Sequence, residues 1–326
     1  MVNNKTLTVA PSAALNLHTR VVKLMGNRFE FTVVHGEPAG ATQFIDLAIA
    51  EVSRIEDLLT TFSDSSQTNL INAGAGIRPV PVDREVFSLI SRAQKISALT
   101  QGAFDLSYGS IDKSLWNFDL QMSALPDAAV AEKSIRLINY KNILLDESAG
   151  TVFLKEEGMR IGFGGIGKGY AADSARRLLM RLGVESGIVN AAGDLVTWGM
   201  QPDGKPWTIG IADPDRRTLA FSKLNISNMA IATSGDYEKF VVIDGKRYSH
   251  TINPKTGLPV SGVKSVSIIS PNAELADAMA TPVMVMGVKV GLDLINQLHQ
   301  LECIIIDDQH QLHFSRNIRP RESSLC

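Results

Sequence analysis

From Gly187 to Ser270 the chain breaks into seven short apolar runs: "GIVNAA", "LVTWGM", "WTIGIAD", "LAFSKLN", "MAIATS", "FVVID" and "KSVSIIS". Hairpin-sized gaps separate most of them, which favours antiparallel pairing, since parallel neighbours need a crossover of a dozen residues or more. Strands arriving in runs, with the helices grouped elsewhere, favour an α+β fold over a doubly wound α/β one. The expected architecture is mainly antiparallel or mixed sheets with packed helices.

The helices announce themselves by spacing. Phe44, Ile45, Ala48, Val52, Ile55, Leu58 and Leu59 predict an amphipathic helix over about Ala41–Phe62. "SDSSQTN" then reads as a break and Gly74–Pro81 as loop, before a helix over Arg84–Leu99 that stops at Gly102. "NILLDESAGTVFLK" reads as a hairpin. Further helices are expected over Lys168–Leu182, Ala273–Met286 and Val288–Leu298, with a last hairpin around "CIIIDDQHQLHF". No repeat or low-complexity linker divides the chain, so residues 1–20 read as an extension and 21–320 as one domain.

With 326 residues, 44% of them hydrophobic, the chain has ample material for a core. A formal net charge of -2 argues against nucleic acid or an anionic membrane as partner, and Arg316, Arg319 and Arg321 form too sparse a tail to alter that. Cys303 and Cys326 are too few for a disulfide framework or a zinc site. No segment approaches the ~20 apolar residues of a membrane span. The N-terminal stretch lacks a secretory core, which gives a cytoplasmic expectation, or a periplasmic one had a signal been removed.

The segment "GFGGIGKGYA" (Gly162–Ala171) satisfies G-x-G-x-x-G and nearly satisfies G-x-x-x-x-G-K-[ST]. The first pattern needs a βαβ unit, which the surroundings lack. The second needs a hydroxyl after its lysine, and Gly169 stands there. What remains is physical: glycines admit close backbone approach, a helix starts just after them, and Lys168 adds a positive charge at the same end. The plainer alternative is a strand-to-helix turn needing positive φ.

Other polar groups stand out in "TSGDYEKF", "RYSHTINPKTGLP" and "ELADAMAT". Asp277 and Thr281 are four apart on an expected helix, so one carboxylate and one hydroxyl share a face as hard oxygen donors suited to Mg2+. Pro282 predicts a kink or a freed carbonyl beside them. His250, between Ser249 and Thr251 in a polar segment, is the best general-base candidate. Gly102, Asp105 and Trp116 are candidates for a ligand wall.

Taken in order, "LMGNRFEF", "DSSQTNLIN", "GAFDLSYGSIDKSLWNF", "GGIGKGYAAD", "NAAGDLVTWG", "PDGKPWTIGIADP", "ATSGDYEKF", "RYSHTINPKTGLP" and "ADAMAT" resemble the ApbE family, the FAD:protein FMN transferases. The resemblance runs from about Met25 to the last hairpin. It implies an ApbE-like fold and Mg2+-dependent transfer of the FMN half of FAD to a Thr or Ser hydroxyl of a flavoprotein, with release of AMP. FAD pyrophosphatase activity, giving FMN and AMP, and non-catalytic FAD binding are the alternatives. Carried over position by position, FAD contacts fall on Met25, Phe62, Ala103, Phe104, Asp105, Lys168 and Ile252. Metal ligands fall on Asp277, Thr281 and the carbonyl of Gly165, and the catalytic pair is His250 and Asp277. The chain departs from the family's usual pattern at Gly162, often Asp, at Phe62, commonly Tyr, and at Pro282.

Overall fold

The computed structural model describes residues 14–111, 124–212, 220–235 and 240–318. An eight-stranded sheet forms the middle layer, in the order β1(Asn16–Leu24)-β2(Asn27–His35)-β6(Gly187–Ala191)-β7(Asp194–Trp198)-β10(Ala230–Gly235)-β13(Val263–Ser270)-β14(Glu302–Asp307)-β15(Leu312–Phe314). Every neighbouring pair is antiparallel; short gaps account for β1–β2, β6–β7 and β14–β15, while β2–β6, β7–β10, β10–β13 and β13–β14 are joined by longer connections. Smaller sheets pair β3(Val80–Pro81), β5(Thr151–Leu154) and β4(Ile143–Asp146), then β8(Trp207–Ala212) with β9(Ala220–Ile226), and β11(Phe240–Ile243) with β12(Lys246–Ser249). The α+β expectation holds.

Alternation along the strands divides the interior in two. Ala230, Ala232, Ile268, Cys303 and Ile305 join the main core, while Ile231, Ile269 and Ile304 point the other way, onto a second cluster with Trp207, Ile209 and Ile211 of β8. This is the period-two signature of a sheet covered on both faces. The main core is closed by α1(Pro38–Leu59), α5(Gly167–Arg181) and α6(Ala273–Ile295), which pack against one another and the sheet. Residues Ala41, Ile45, Ala48, Val52, Ile55 and Leu59 of α1 are buried at helical spacing.

α3(Arg84–Leu99) has the expected limits, and α1 and α5 lie within three residues of theirs. The break read at "SDSSQTN" instead starts α2(Gln67–Ala73), because the Ser66 side chain accepts from Asn69 N–H as an N-cap. A short α4(Ala128–Ser134) also forms, capped by Asp127. β1 begins at Asn16, within the stretch read as an extension, and pairs with β2 along its whole length.

α6 runs through Pro282 and breaks at Gly287, whose φ of 77° and ψ of 177° lie in a region essentially reserved for glycine. The break therefore falls five residues after the proline where a kink was expected; two limbs divide there, as the spacing predicts. By length and composition α6 also passes for a membrane span, with a mean hydropathy of 1.5, which qualifies the expectation that no segment approaches one. Its first limb is buried in the core: Ala276, Ala278, Met279, Ala280, Val283 and Met284 are all inaccessible.

Candidate active site

A cleft of about 970 Å³ opens along the N-terminal end of α5. It is walled by the β1–β2 turn, the segment after α1, the Ala103–Ile111 stretch, the glycine loop, the His250–Pro254 segment and one side of α6. This volume lies at the upper end of the range for small-molecule sites.

The glycine loop decides between its two readings through its backbone. Gly162, Gly164, Gly165 and Gly167 all lack the left-handed φ that a glycine-requiring turn would demand. A Cβ at Gly164 would meet nothing within 4 Å, and one at Gly165 only the Phe104 ring at 3.5 Å. The protein's own packing therefore does not need glycine at 164 and 165, whereas at Gly167 a Cβ would press on Phe163 Cβ at 3.3 Å. Gly164 and Gly165 line the cleft. They leave bare main chain facing the cleft, as close ligand approach requires. The chain turns into α5 through Gly167 N–H, which donates to the Phe163 carbonyl at 2.7 Å.

Gly169 has a different reason. A Cβ there would stand 2.1 Å from the Ala273 carbonyl oxygen and 2.8 Å from Asp277 Cβ, so glycine is what allows α5 to lie against α6. Its N–H donates to Asp277 Oδ2 at 3.0 Å. Lys168, in the same helical turn, hydrogen-bonds Asp194 and places Nζ 3.5 Å from Asp277 Oδ1, with its side chain 25% exposed to the cleft. Burial, the largest influence, would lower the Lys168 ammonium, but Asp194 and Asp277 outweigh it and hold it well above the usual lysine range. Asp277 is 6% exposed. Burial pushes its carboxyl up to about 6, the Asp194 charge adds to that, and Lys168 and Gly169 N–H oppose it.

Thr281 lies one turn further along α6, its Oγ1 3.0 Å from the Ser234 hydroxyl. Gly165 and Thr281 both line the cleft, while Asp277 lies just behind its wall. Among the described residues no group of three His, Cys, Asp or Glu side chains gathers to hold a metal. The Asp277 carboxylate, the Thr281 hydroxyl and the Gly165 carbonyl are oxygens of the hardness Mg2+ prefers, and a cation held by them would keep water or substrate oxygens as further ligands. Two carboxylates against one ammonium leave an excess negative charge to receive it. The residues fit the group.

The expected flavin contacts converge on the same cleft: Met25, Phe62, Ala103, Phe104, Asp105 and Ile252 all line it, as does His250. Met25 takes φ 50° in the tight β1–β2 turn, and Phe62 stands at the rim, 99% exposed. Asp105 is differently engaged. Its Oδ1 accepts from Ser107 N–H and Oγ, and its Oδ2 from Tyr140 N–H, so the carboxylate organises its own loop. Burial raises that carboxyl while these donors oppose the shift. Gly102 ends α3 at φ 82° and does not line the cleft; Trp116 lies outside the described residues, as do Asp236–Lys239 of "TSGDYEKF" and Arg319, Arg321 and Cys326.

Three participants were not singled out from the sequence. Asp194 partners Lys168, Ser234 partners Thr281, and the Tyr108 hydroxyl accepts from Ile252 N–H at 3.3 Å, tying two cleft walls together. All three lie inside the motifs that carry the resemblance, Asp194 in "NAAGDLVTWG", Ser234 in "ATSGDYEKF" and Tyr108 in "GAFDLSYGSIDKSLWNF", with nothing local to set them apart there.

Fold and cleft together define an α+β protein whose cleft presents a helix N-terminus and an ammonium, with a buried acid behind its wall. The chain belongs to the ApbE family, whose profile matches residues 25–305. It is 33% identical over 305 residues to an FAD:protein FMN transferase of Klebsiella pneumoniae, covering 93% of each chain. An FAD:protein FMN transferase of Salmonella typhimurium is 29% identical, with 90% of this chain and 84% of that protein covered. Among solved structures, the ApbE protein of Thermotoga maritima superposes with a TM-score of 0.82 at 30% identity, covering 92% of this chain and 97% of the other. The Pseudomonas stutzeri flavinyl transferase ApbE gives 0.81 at 26% identity, covering 93% and 95%.

Proposed function

We propose that this chain transfers the FMN moiety of FAD to a Thr or Ser hydroxyl of a target flavoprotein, with Mg2+ required. A phosphoester forms and AMP is released. The names of the relatives support flavin transfer. The observation that carries the reading is the bond from Gly169 N–H to Asp277, which joins the glycine loop to the helix bearing the acid and the alcohol.

The acceptor hydroxyl oxygen attacks the FMN-side phosphorus of the pyrophosphate. The bond from that phosphorus to the bridging oxygen breaks, and AMP leaves with that oxygen. Such steps depend on positioning and charge neutralisation more than on covalent help from the protein. Lys168 and the first turn of α5 face the pyrophosphate charge, and the bare Gly164–Gly165 backbone lets the diphosphate seat closely. Asp277, Thr281 and the Gly165 carbonyl would hold the cation, which supplies Lewis-acid stabilisation of several kcal/mol. His250 accepts the proton of the incoming hydroxyl, an effect of typically ~10²–10⁴-fold.

The test uses the full chain with FAD, Mg2+ and an acceptor flavoprotein presenting a threonine. Covalent FMN on the acceptor, in step with AMP, is the expected result. AMP without modified acceptor would make the protein a pyrophosphatase, and FAD retained unchanged would make it a carrier.

A further inference from the structure

Building on that flavin-transfer reading, we infer that Asp194 is a positioning residue: it retains the Lys168 ammonium so that Asp277 is left to a divalent cation. Asp194 opens β7 directly after a two-residue turn in which Ala192 and Gly193 take φ of 56° and 101°. That double positive φ belongs to the tight hairpin turn matching strand twist, and Gly193 N–H is fixed by Asn190 Oδ1 at 2.8 Å. The acid is thus delivered from the rigid sheet to the start of α5, where it is 4% exposed.

Its two oxygens have separate partners. Oδ2 takes the Lys168 ammonium, and Oδ1 accepts from Thr233 N–H at 3.3 Å. Thr233 adjoins Ser234, whose hydroxyl meets Thr281. Asp194 therefore spans from the lysine to the strand that supports the metal-side alcohol. Lys168 has three N–H donors. One is committed to Asp194, Asp277 lies at 3.5 Å, and the side chain opens to the cleft.

The division of labour follows from charge. A cation taken by Asp277 displaces that carboxylate's partial claim on Lys168 and repels the ammonium. Asp194 is the second anion that keeps Lys168 in place at that moment, with N–H groups still free to meet phosphate oxygens. Without it, the ammonium has only Asp277 to pair with, and lysine and cation compete for one carboxylate. A mere strut between β7 and β10 would stabilise the fold without altering ion binding.

The experiment is a double-mutant cycle read by Mn2+ binding, with Mn2+ as the spectroscopically visible stand-in for Mg2+. It uses the full chain without FAD and follows free Mn2+ by electron paramagnetic resonance. D194N is expected to weaken Mn2+ binding about tenfold, K168M to tighten it, and D194N in the K168M background to cost severalfold less than in the wild type. Equal Mn2+ affinity in D194N and wild type overturns the inference, as does the same loss in both backgrounds. Should D194N fail to fold, D194S takes its place in the same cycle, and equal Mn2+ affinity in D194S and wild type, or the same loss in both backgrounds, overturns the inference. A wild-type chain that binds no Mn2+ overturns the cation assignment of the proposed function itself, a result distinct from all of these.

Discussion

Substituting Gly169 by Ala attacks the joint between the glycine loop and α6. The added Cβ would lie 2.1 Å from the Ala273 carbonyl oxygen, where ordinary contact begins at 3.4 Å, so the helices must part by about 1.3 Å. Overpacking of this kind costs about 1–3 kcal/mol. The hydrogen bond from residue 169 to the Asp277 carboxylate, worth about 1.5–3 kcal/mol, is stretched in the same movement. A combined loss of about 3 kcal/mol lowers the melting temperature of a chain this size by about 5 °C. A shift of about 1 Å between Lys168 and Asp277 reduces transfer by about 100-fold. The assay pairs a thermal melt with in-gel flavin fluorescence of the acceptor. Gly164→Ala is the internal control, because its Cβ enters open space: its melt should stay within about 0.5 kcal/mol of wild type while FAD binds more weakly. A Gly169→Ala protein that melts and transfers like the wild type would refute the reasoning.

Asp277→Ala is expected to abolish Mg2+-dependent transfer with circular dichroism unchanged; acceptor labelled at the wild-type rate would remove the acid from the site. His250→Ala should slow transfer by about 10²–10⁴-fold with FAD still bound, and lost FAD binding would recast the imidazole as a ligand contact. A pH series tests the burial of Asp277. In metal-free protein its raised carboxyl gives a folded state that binds a proton the unfolded chain, at 3.8, does not; that stabilisation is full below 3.8 and is lost as pH rises through about 6. Denaturant curves of wild type and Asp277→Asn should therefore diverge across that window, and parallel curves would show the carboxyl to be unperturbed.

Periodic features were legible because their cause is local. α3 has its expected ends, since the buried spacing of Val86, Leu89, Ile90 and Ala93 and the stop at Gly102 are all written within one stretch. β1 gave little signal because it is an outer strand with no fully buried residue until Leu24. The start of α2 reads as a break because a serine-rich break and a serine N-cap use the same residue chemistry; only the bond from Asn69 N–H to Ser66 separates them. In the candidate site, the gathering of the expected positions around one cleft followed motifs that each read locally. Asp194 and Ser234 did not, because their roles depend on which strands lie beside β7 and β10. Asp194 reaches a partner 26 residues away and Ser234 one 47 away, separations that only the sheet order brings together. The carboxylate of Asp105 also serves its own loop: the bond from Ser107 N–H is the local Asp cap two residues on, while Tyr140 N–H, 35 residues away, is brought to it only by the fold.

The break at Gly287 bears on how much change the site can absorb. With φ 77° and ψ 177°, the residue interrupts the helical ladder and turns the outer limb back on the inner one, so that a Cβ at Gly291 would stand 2.8 Å from Val283 Cγ1. The outer limb is thereby seated against the inner one, at Val283, two residues beyond Thr281. Replacing Gly287 would crowd nothing, since a Cβ there meets no atom within 4 Å, yet the backbone would resist the conformation, and any straightening would pull the outer limb off Val283, close to the alcohol.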